Sequence, residues 1–307
     1  MRPTLIAGIA NLAVIAVLAL SACDNQQELC FDHNHDRVPV EVVFDWSECP
    51  DAEPSTMSLY LFSEEGSQPR RFDLNGRNGG MIEVLKGRYS VVALNSDIEN
   101  TAVRYSSGIE SFELFLRSSF STYSPGLCNP SDMVWIGVEE DVAVNGDTLR
   151  LLMRKKVCRC EVDVRRLSNN NNLRSAIAHL SGFNESVSGI GGKGTMDRVS
   201  IGFELELDTD SSLHAEILTL GHCGQVRSRD ISTRSDSLHL IDINFTLSDG
   251  SSWIYSEDVT DQIHRQTNEY CHIVIDSIIL PKTNDSPSGG FAVGVDEWDT
   301  IEFTIKP

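Results

Sequence analysis

The residues best equipped for chemistry lie near the start of the chain, in "CFDHNHD". Cys30, Asp32, His33, His35 and Asp36 bring thiol, imidazole and carboxylate groups within seven positions. In an extended chain His33 and His35 share a face, an arrangement that would suit a transition-metal ion. Such ions are usually held by a rigid scaffold, and no second Cys/His cluster of standard zinc spacing accompanies the stretch. No metal is therefore expected. His222-Cys223 and Cys271-His272 each set a thiol beside an imidazole, but adjacent strand residues point to opposite faces. "GIGGKGT" (189–195) has neither the residue order nor the strand–loop–helix setting of a phosphate loop. Glu139-Glu140 and the acids of "GVDEWD" could serve glycoside hydrolysis only if two carboxyls met across a cleft; solvated surface is the simpler reading. No catalytic residue and no cofactor is expected, and the chain does not read as an enzyme.

One residue does promise covalent chemistry. From Thr4 to Leu20 the chain is apolar apart from Thr4 and Asn11, with Arg2 in front. A basic start, an apolar middle and small residues at a cleavage point make a secretory signal. Leu20-Ser21-Ala22-Cys23 resembles the bacterial lipobox, where the peptidase cuts before a cysteine whose thiol carries diacylglycerol. At about 17 residues the stretch only reaches the lower limit for an uncleaved membrane span. Residues 1–22 are thus expected to be a lipoprotein signal, Cys23 the lipid attachment site, and 23–36 a flexible tether. Each acyl CH₂ buried in a bilayer contributes about 0.8 kcal/mol to anchoring.

The net charge is −20 over 307 residues, and −21 once Arg2 leaves with the signal. So acidic a chain repels nucleic acid and anionic headgroups. The one basic cluster, Arg154-Lys155-Lys156 with Arg159, lies in strand-like sequence and reads as a solvated face. Seven cysteines remain besides Cys23, an odd number, so at least one thiol stays unpaired within the chain. Cys223 with Cys271 is the candidate bridge. Cys158 and Cys160 share one face of a strand and read as small buried hydrophobes.

The elements that must position these groups are strands. Val38, Val40, Val42, Phe44 and Trp46 alternate, as do Ile201, Phe203, Leu205 and Leu207, then Ile241, Ile243, Phe245 and Leu247, and finally Ile301, Phe303 and Ile305. Turn sequences such as "LNGRNGG" and "LSDGSS" separate them. Two short helices are expected, "NNLRSAIAHLSG" with Gly182 as its stop, and "SEDVTDQIHRQ" with an acidic first turn. Many short strands with few helices indicate sandwiches. The apolar phase slips between Leu149-Leu151-Met153 and Cys158-Cys160-Val162-Val164, which predicts a bulge or a chain changing sheets. The domain junction is placed there, giving 37–156 and 157–307.

Several stretches resemble the fimbrillin-like lipoproteins related to type V pili of Gram-negative anaerobes. They are "LSAC", "VEVVFDWSE", "MSLYLFSEEG", "GGMIEVLKGRYSVVALNSDIEN" with Asn95 and Asp97, "AIAHLSGFNESVSG" and the C-terminal "GGFAVGVDEWDTIEFTIKP". The resemblance implies an all-β chain of two tandem transthyretin-like Greek-key β-sandwich domains, lipid-anchored in the outer membrane. In that superfamily a trypsin-like protease frees a first strand and a neighbour's strand fills the groove by β-augmentation. Arg37 and Arg70-Arg71 are the basic residues placed for such a cut, and both read more simply as exposed arginines. Nothing substantial follows the 301–305 strand to serve as a spare donor. The expected role is therefore adhesion, or anchoring and accessory work in a pilus, at the cell surface. Expected partners are the membrane, through the lipid, and pilus subunits or a host ligand, but not nucleic acid. The alternative is a glycan-binding lipoprotein beside a nutrient importer, using aromatic platforms drawn from Trp46, Trp135, Trp253 and Trp298. Asp-Ser/Thr-aliphatic tripeptides at Thr148, Ser237, Ser277 and Thr300 resemble an O-glycosylation pattern.

Overall fold

Period-two alternation dictates strands, and the computed structural model of the chain is built almost wholly of them. It describes residues 37–64, 68–106, 108–118, 126–190, 198–222, 239–267 and 269–282. The chain begins with β1 (Arg37–Asp45), β2 (Thr56–Ser63), β3 (Arg70–Asn75), β4 (Gly80–Leu85) and β5 (Gly87–Asn95). It continues through β6 (Thr101–Arg104), β7 (Glu113–Leu116), β8 (Leu127–Cys128), β9 (Trp135–Val144), β10 (Leu149–Leu152) and β11 (Arg154–Lys155). Next come β12 (Cys158–Val164), β13 (Leu167–Ser168), β14 (Leu173–Asn184), β15 (Ser186–Ser188), β16 (Arg198–Glu204) and β17 (Glu206–Leu207). Last are β18 (Leu213–Thr219), β19 (Leu240–Leu247), β20 (Ser252–Asp258), helix α1 (Thr260–His264), β21 (Tyr270–Ile275) and β22 (Ile278–Ile279). No described helix is long and apolar enough to cross a membrane.

Strand β1 lies between β10, to which it is parallel, and β4, to which it is antiparallel. Its inward residues Val40, Val42 and Phe44 pack on Leu59, Leu61, Val91 and Ala93 of a five-stranded sheet ordered β11-β9-β5-β2-β3. The other face of that sheet is buried as well. Tyr60, Phe62, Val92 and Leu94 enter a second core with Phe112, Leu114 and Leu116. Burial on both faces explains the unbroken apolar runs "LYLF" and "VVAL" in β2 and β5, where a half-buried strand would alternate.

The second core continues between the sheets β20-β19-β14-β16-β8 and β17-β18-β12-β21, so side chains from both sides of residue 156 share it. Two strand pairs also join the halves: β8 runs parallel to β16, and β15 antiparallel to β7. The phase slip near 154–157 is a change of sheets. Strand β10 pairs with β1, β11 with β9, and β12 with β18 and β21. Leu151 and Met153 thus face the first core, and Cys160 and Val162 the second.

Two expectations are corrected. The stretch expected as a helix over 171–182 is β14, paired with β16 and β19. Ala176, Ala178 and Leu180 are buried while Ile177 is 45% exposed, so the segment has a period-two reading that Ala, Leu and Arg propensities mask. Gly182 sits at φ +86° within a register shift between Leu180 and Phe183, not at a helix stop. The expected Cys223–Cys271 bridge is instead Cys160–Cys271, which also removes Cys160 from the packed thiols. Parallel β12 and β21 place these two cysteines directly opposite, with Cα atoms 4.6 Å apart. Cys223 lies outside the described residues. Cys158 keeps its buried free thiol, pushed up in pKa by desolvation.

The second expected helix is α1, shortened because Ser256–Asp258 stay in β20. The Asp258 carboxylate accepts the Thr260 backbone N–H at 2.9 Å, and hydrogen bonds from Thr260 hold its pKa below the ordinary value. The alternating runs from Val40 to Trp46 and from Ile241 to Leu247 bury their apolar members as expected, whereas Val38 is only partly buried and Leu207 is 45% exposed beyond the end of β16.

Candidate functional site

Two surface features could meet a partner. One is a cleft of about 270 Å³ beside β2, β3 and β6, walled by Tyr60, Tyr105, Arg71 and Arg117. Tyr60 points from β2 into the second core, its ring edge-on to Tyr105 at 5.6 Å and to Phe112 at 5.4 Å. Tyr105 in turn stacks parallel on Phe112 at 6.2 Å. Burial raises the Tyr60 phenol. The guanidinium of Arg71 lies over the Tyr60 ring, 5.7 Å from its centroid, and its Nε donates to Asp73 at 2.8 Å. Asp73 also accepts the Ser58 hydroxyl at 2.6 Å, and these bonds, Ser58's first, hold its carboxylate below the usual range.

The floor of the cleft is Asn95, a buried polar side chain that is fully bonded. Its Nδ2 donates to Asp97 and to the Met133 carbonyl, each at 2.9 Å, and its Oδ1 accepts the Trp135 N–H at 2.9 Å. Asp97 accepts both the N–H and the hydroxyl of Ser55 at 2.8 Å. Asn95 and Asp97 are thus a staple joining the entry to β2, the end of β5 and the start of β9. Asp132 does similar work, accepting the N–H groups of Glu99, Asn100 and Thr101. The cleft offers aromatic faces and two guanidinium groups, and no pair of acids faces across it.

The other feature is β20, the outermost strand of its sheet. Among the described residues nothing pairs with its outer edge. Ile254 is 62% exposed on one face; Trp253, Tyr255 and Glu257 line the other, half-buried. Trp253 stacks on Phe245 at 5.7 Å, and the Tyr255 hydroxyl donates to Glu257 at 2.6 Å. Desolvation, then that bond, pushes the Tyr255 phenol up to about 12. By contrast β3, the edge of the sheet on which β1 packs, carries Arg70, Arg71 and Asp73, charges of the kind that discourage strand addition.

Cys23, the metal candidates Cys30, Asp32, His33, His35 and Asp36, and Trp298, Ser237 and Thr300 all lie outside the described residues. Arg37 opens β1, and Arg70-Arg71 lie inside β3, paired with Leu61 and Tyr60 of β2. Trp46 is core, 7% exposed, with Trp135 edge-on at 6.1 Å. Glu139 and Glu140 are exposed on β9, and Cys271 is locked in the disulfide beside His272. Arg154 is exposed and paired with Glu48, whereas Lys156 is half-buried and its pKa lowered by that burial. Sequence reasoning missed the Tyr60–Tyr105 cleft because its walls come from β2, β3 and the residues just past β6 and β7, and missed the grouping of buried His222 and His239 with half-buried His264.

The fold recurs in solved structures. A candidate adhesin from Bacteroides ovatus superposes with a TM-score of 0.62 at 18% identity, covering 83% of this chain and 95% of that one. A candidate polysaccharide-binding protein (DUF1812) from Bacteroides thetaiotaomicron gives 0.50 at 13% identity, covering 78% and 91%. The fimbrial anchor protein Mfa2 from Porphyromonas gingivalis gives 0.47 at 18% identity, covering 79% and 90%. At such identities the likeness is one of fold, carried by the first two, and it agrees with the all-β sandwich architecture expected from the sequence. None of these three neighbours is described as an enzyme. No curated protein sequence matches the chain. A family profile does match, over residues 22–204, and the chain belongs to that family, described as Domain of unknown function (DUF5119).

Proposed function

We propose that this chain is a surface lipoprotein acting in adhesion or as an anchor or accessory subunit of a pilus, held by lipidated Cys23 and meeting its partner through a sheet edge. The observation that carries the reading is β20, a seven-residue outer strand with a well-exposed Ile254, no Lys, Arg or Pro, and its only charges, Glu257 and Asp258, confined to its end. Strands of this kind accept another strand through main-chain hydrogen bonds. The names of the two better-superposing neighbours, a candidate adhesin and a candidate polysaccharide-binding protein, agree with a binding role.

An accessory role fits better than a shaft subunit activated by proteolysis. Between Asp45, where β1 ends, and Arg70, the sequence contains no Lys or Arg. A trypsin-like cut at Arg37 would leave β1 in place, and one at Arg70 or Arg71 would remove β1 together with β2. Strand β2 buries Met57, Leu59, Tyr60, Leu61 and Phe62 to 5% exposure or less. At roughly 1.5–3 kcal/mol each, their loss comes to about 8–15 kcal/mol, comparable to the whole stability of a domain.

The test is membrane fractionation with protease shaving of intact cells, comparing wild type with Cys23→Ala. Wild type is expected in the membrane and open to shaving, and the variant released. A wild type protected from protease would place the lipid on the periplasmic side and end the adhesion reading. A variant retained as firmly as wild type would make residues 4–20 a helical anchor.

The second reading, glycan binding, rests on the Tyr60–Tyr105 cleft with Arg71 and Arg117. Among the described residues no tryptophan is exposed, so the cleft alone supports it. Binding of soluble polysaccharide that survives Tyr105→Ala would remove that support.

A further inference from the structure

Three histidines that are far apart in sequence converge where β14, β19 and α1 meet. His222 and His239 are buried and His264 is half-buried, and one ring nitrogen from each lies within 4.8 Å of the others. The rings of His239 and His264 stand nearly perpendicular, with Nε2 to Nε2 at 3.2 Å. Two nitrogens bound tetrahedrally to zinc, at about 2.0–2.1 Å each, stand about 3.3 Å apart. The separation is thus already that of a ligand pair.

The tautomer is set as well. His239 Nδ1 lies 3.0 Å from the Ser181 carbonyl, which can only accept, so Nδ1 carries the proton and Nε2 presents its lone pair. Metal-binding histidines are oriented in this way, the second nitrogen donating to a carbonyl or carboxylate. With no ion present, His264 Nε2–H donates to that lone pair.

The surroundings are stiff. The end of β14 holds two of the ligands. Phe183 bridges to His222 and sets its ring against His239, and the Ser181 hydroxyl accepts the Leu240 N–H at 2.9 Å. The His239 N–H donates to the Thr260 hydroxyl at 2.9 Å, tying β19 to the helix that presents His264. Gln262 and Gln266 fasten that helix to β21 through paired amide bonds with the backbone of Val274 and His272. A metal held here would clamp three elements at one corner of the second sandwich, with access past half-buried His264.

We propose that His222, His239 and His264 form a three-histidine site for a divalent late first-row transition ion of the zinc type, its fourth position open to water or to a partner's side chain. Three imidazoles without a carboxylate suit zinc, copper or nickel and not magnesium or calcium, which need oxygen ligands.

The test uses the full mature chain, purified without a polyhistidine tag, stripped with chelator, and carrying His33→Gln and His35→Gln so that the tether cannot contribute. Zn²⁺ is titrated by calorimetry and Co²⁺ by visible absorption. One ion per chain is expected, with a four-coordinate Co²⁺ spectrum and no response to Mg²⁺ or Ca²⁺. His264→Gln, at the half-buried position and compared at temperatures well below its own metal-free melting point so that the lost bond to His239 is accounted for, should weaken Zn²⁺ by at least about tenfold, as loss of even a supporting group does at such sites, and abolish the Co²⁺ bands. Failure of the parent chain to take up stoichiometric Zn²⁺, or unchanged affinity in His264→Gln, would overturn the proposal. Either result leaves the adhesion reading untouched, since that reading is tested by surface exposure and release.

Discussion

Breaking the Cys160–Cys271 disulfide should cost more than any single side-chain change outside the core. The two cysteines are 111 residues apart in sequence, and the loop they close contains β13 through β20. In the chain-entropy account, a closure of that length removes about 16 cal/mol/K from the unfolded ensemble, or about 4.8 kcal/mol at 25 °C. Removal of native disulfides typically costs about 2–5 kcal/mol, which brackets that figure. For a chain of this size, each kcal/mol shifts the melting temperature by about 2–4 °C, so a loss of 4 kcal/mol lowers it by about 8–16 °C. The assay is urea unfolding of Cys160→Ala/Cys271→Ala against the oxidised parent. The variant should show a lower midpoint and a steeper dependence on urea, because its unfolded chain is no longer cross-linked and exposes more surface. Cys158→Ala is the control. Its thiol is buried two residues away but unbridged, so it should lose only packing, about 1 kcal/mol. Equal losses in the control and the double variant, or alkylation of Cys160 and Cys271 in the unreduced parent, would refute the reasoning.

Gly79 and Gly76 both have positive φ, +91° and +74°, but a β-carbon at Gly79 would lie 1.9 Å from the Val42 carbonyl oxygen while one at Gly76 meets nothing within 4 Å. Thermal melts should therefore show Gly76→Ala losing about 1 kcal/mol from backbone strain alone, and Gly79→Ala losing far more; similar losses would disprove the close approach. On the outer face of β12, Asp163 accepts from His214 at 2.7 Å and His272 at 2.6 Å. That bond to Asp163 raises the His214 pKa above 6.5, so its contribution is full below that value and fades as pH rises through the raised one. With the His214 side chain 44% exposed the effect is screened to under about 1 kcal/mol, and Asp163→Asn should erase it from a plot of urea midpoint against pH. Ile254→Lys should leave the melting temperature within about 1 °C of wild type, as surface changes do, yet reduce recovery of the protein with surface filaments; unchanged recovery would exonerate the β20 edge.

What could be read in the sequence followed from how local each signal is. Val40, Val42 and Phe44, or Ile241, Ile243 and Phe245, announce a half-buried strand because the period lies within one segment. The phase slip between Met153 and Cys158 was legible for the same reason, although which sheets the chain leaves and joins was not. β14 misled because Ala176, Ala178 and Leu180 are strong helix formers, and their strand conformation comes from β16 and β19, whose registers the segment itself does not encode. The Tyr60–Tyr105 cleft was hidden in the same way, its walls being supplied by separate strands.

Pairing across the fold was the least visible level of all. Cys160 could have met any other thiol; only the parallel register of β12 on β21, set by a strand 111 residues downstream, selects Cys271. The histidines repeat the point with intervals of 17 and 25 residues, which match no zinc-binding spacing. His33 and His35, one residue apart, offer a closer spacing in sequence, in a stretch read as a tether and not as a site. A metal site needs lone pairs held at fixed distances, and sequence proximity supplies neither the distance nor the rigidity. The Ser181 carbonyl and the Gln262 and Gln266 anchors supply both for His239 and His264. In this fold the imidazoles that come together belong to residues far apart in the sequence, gathered where strands meet a helix.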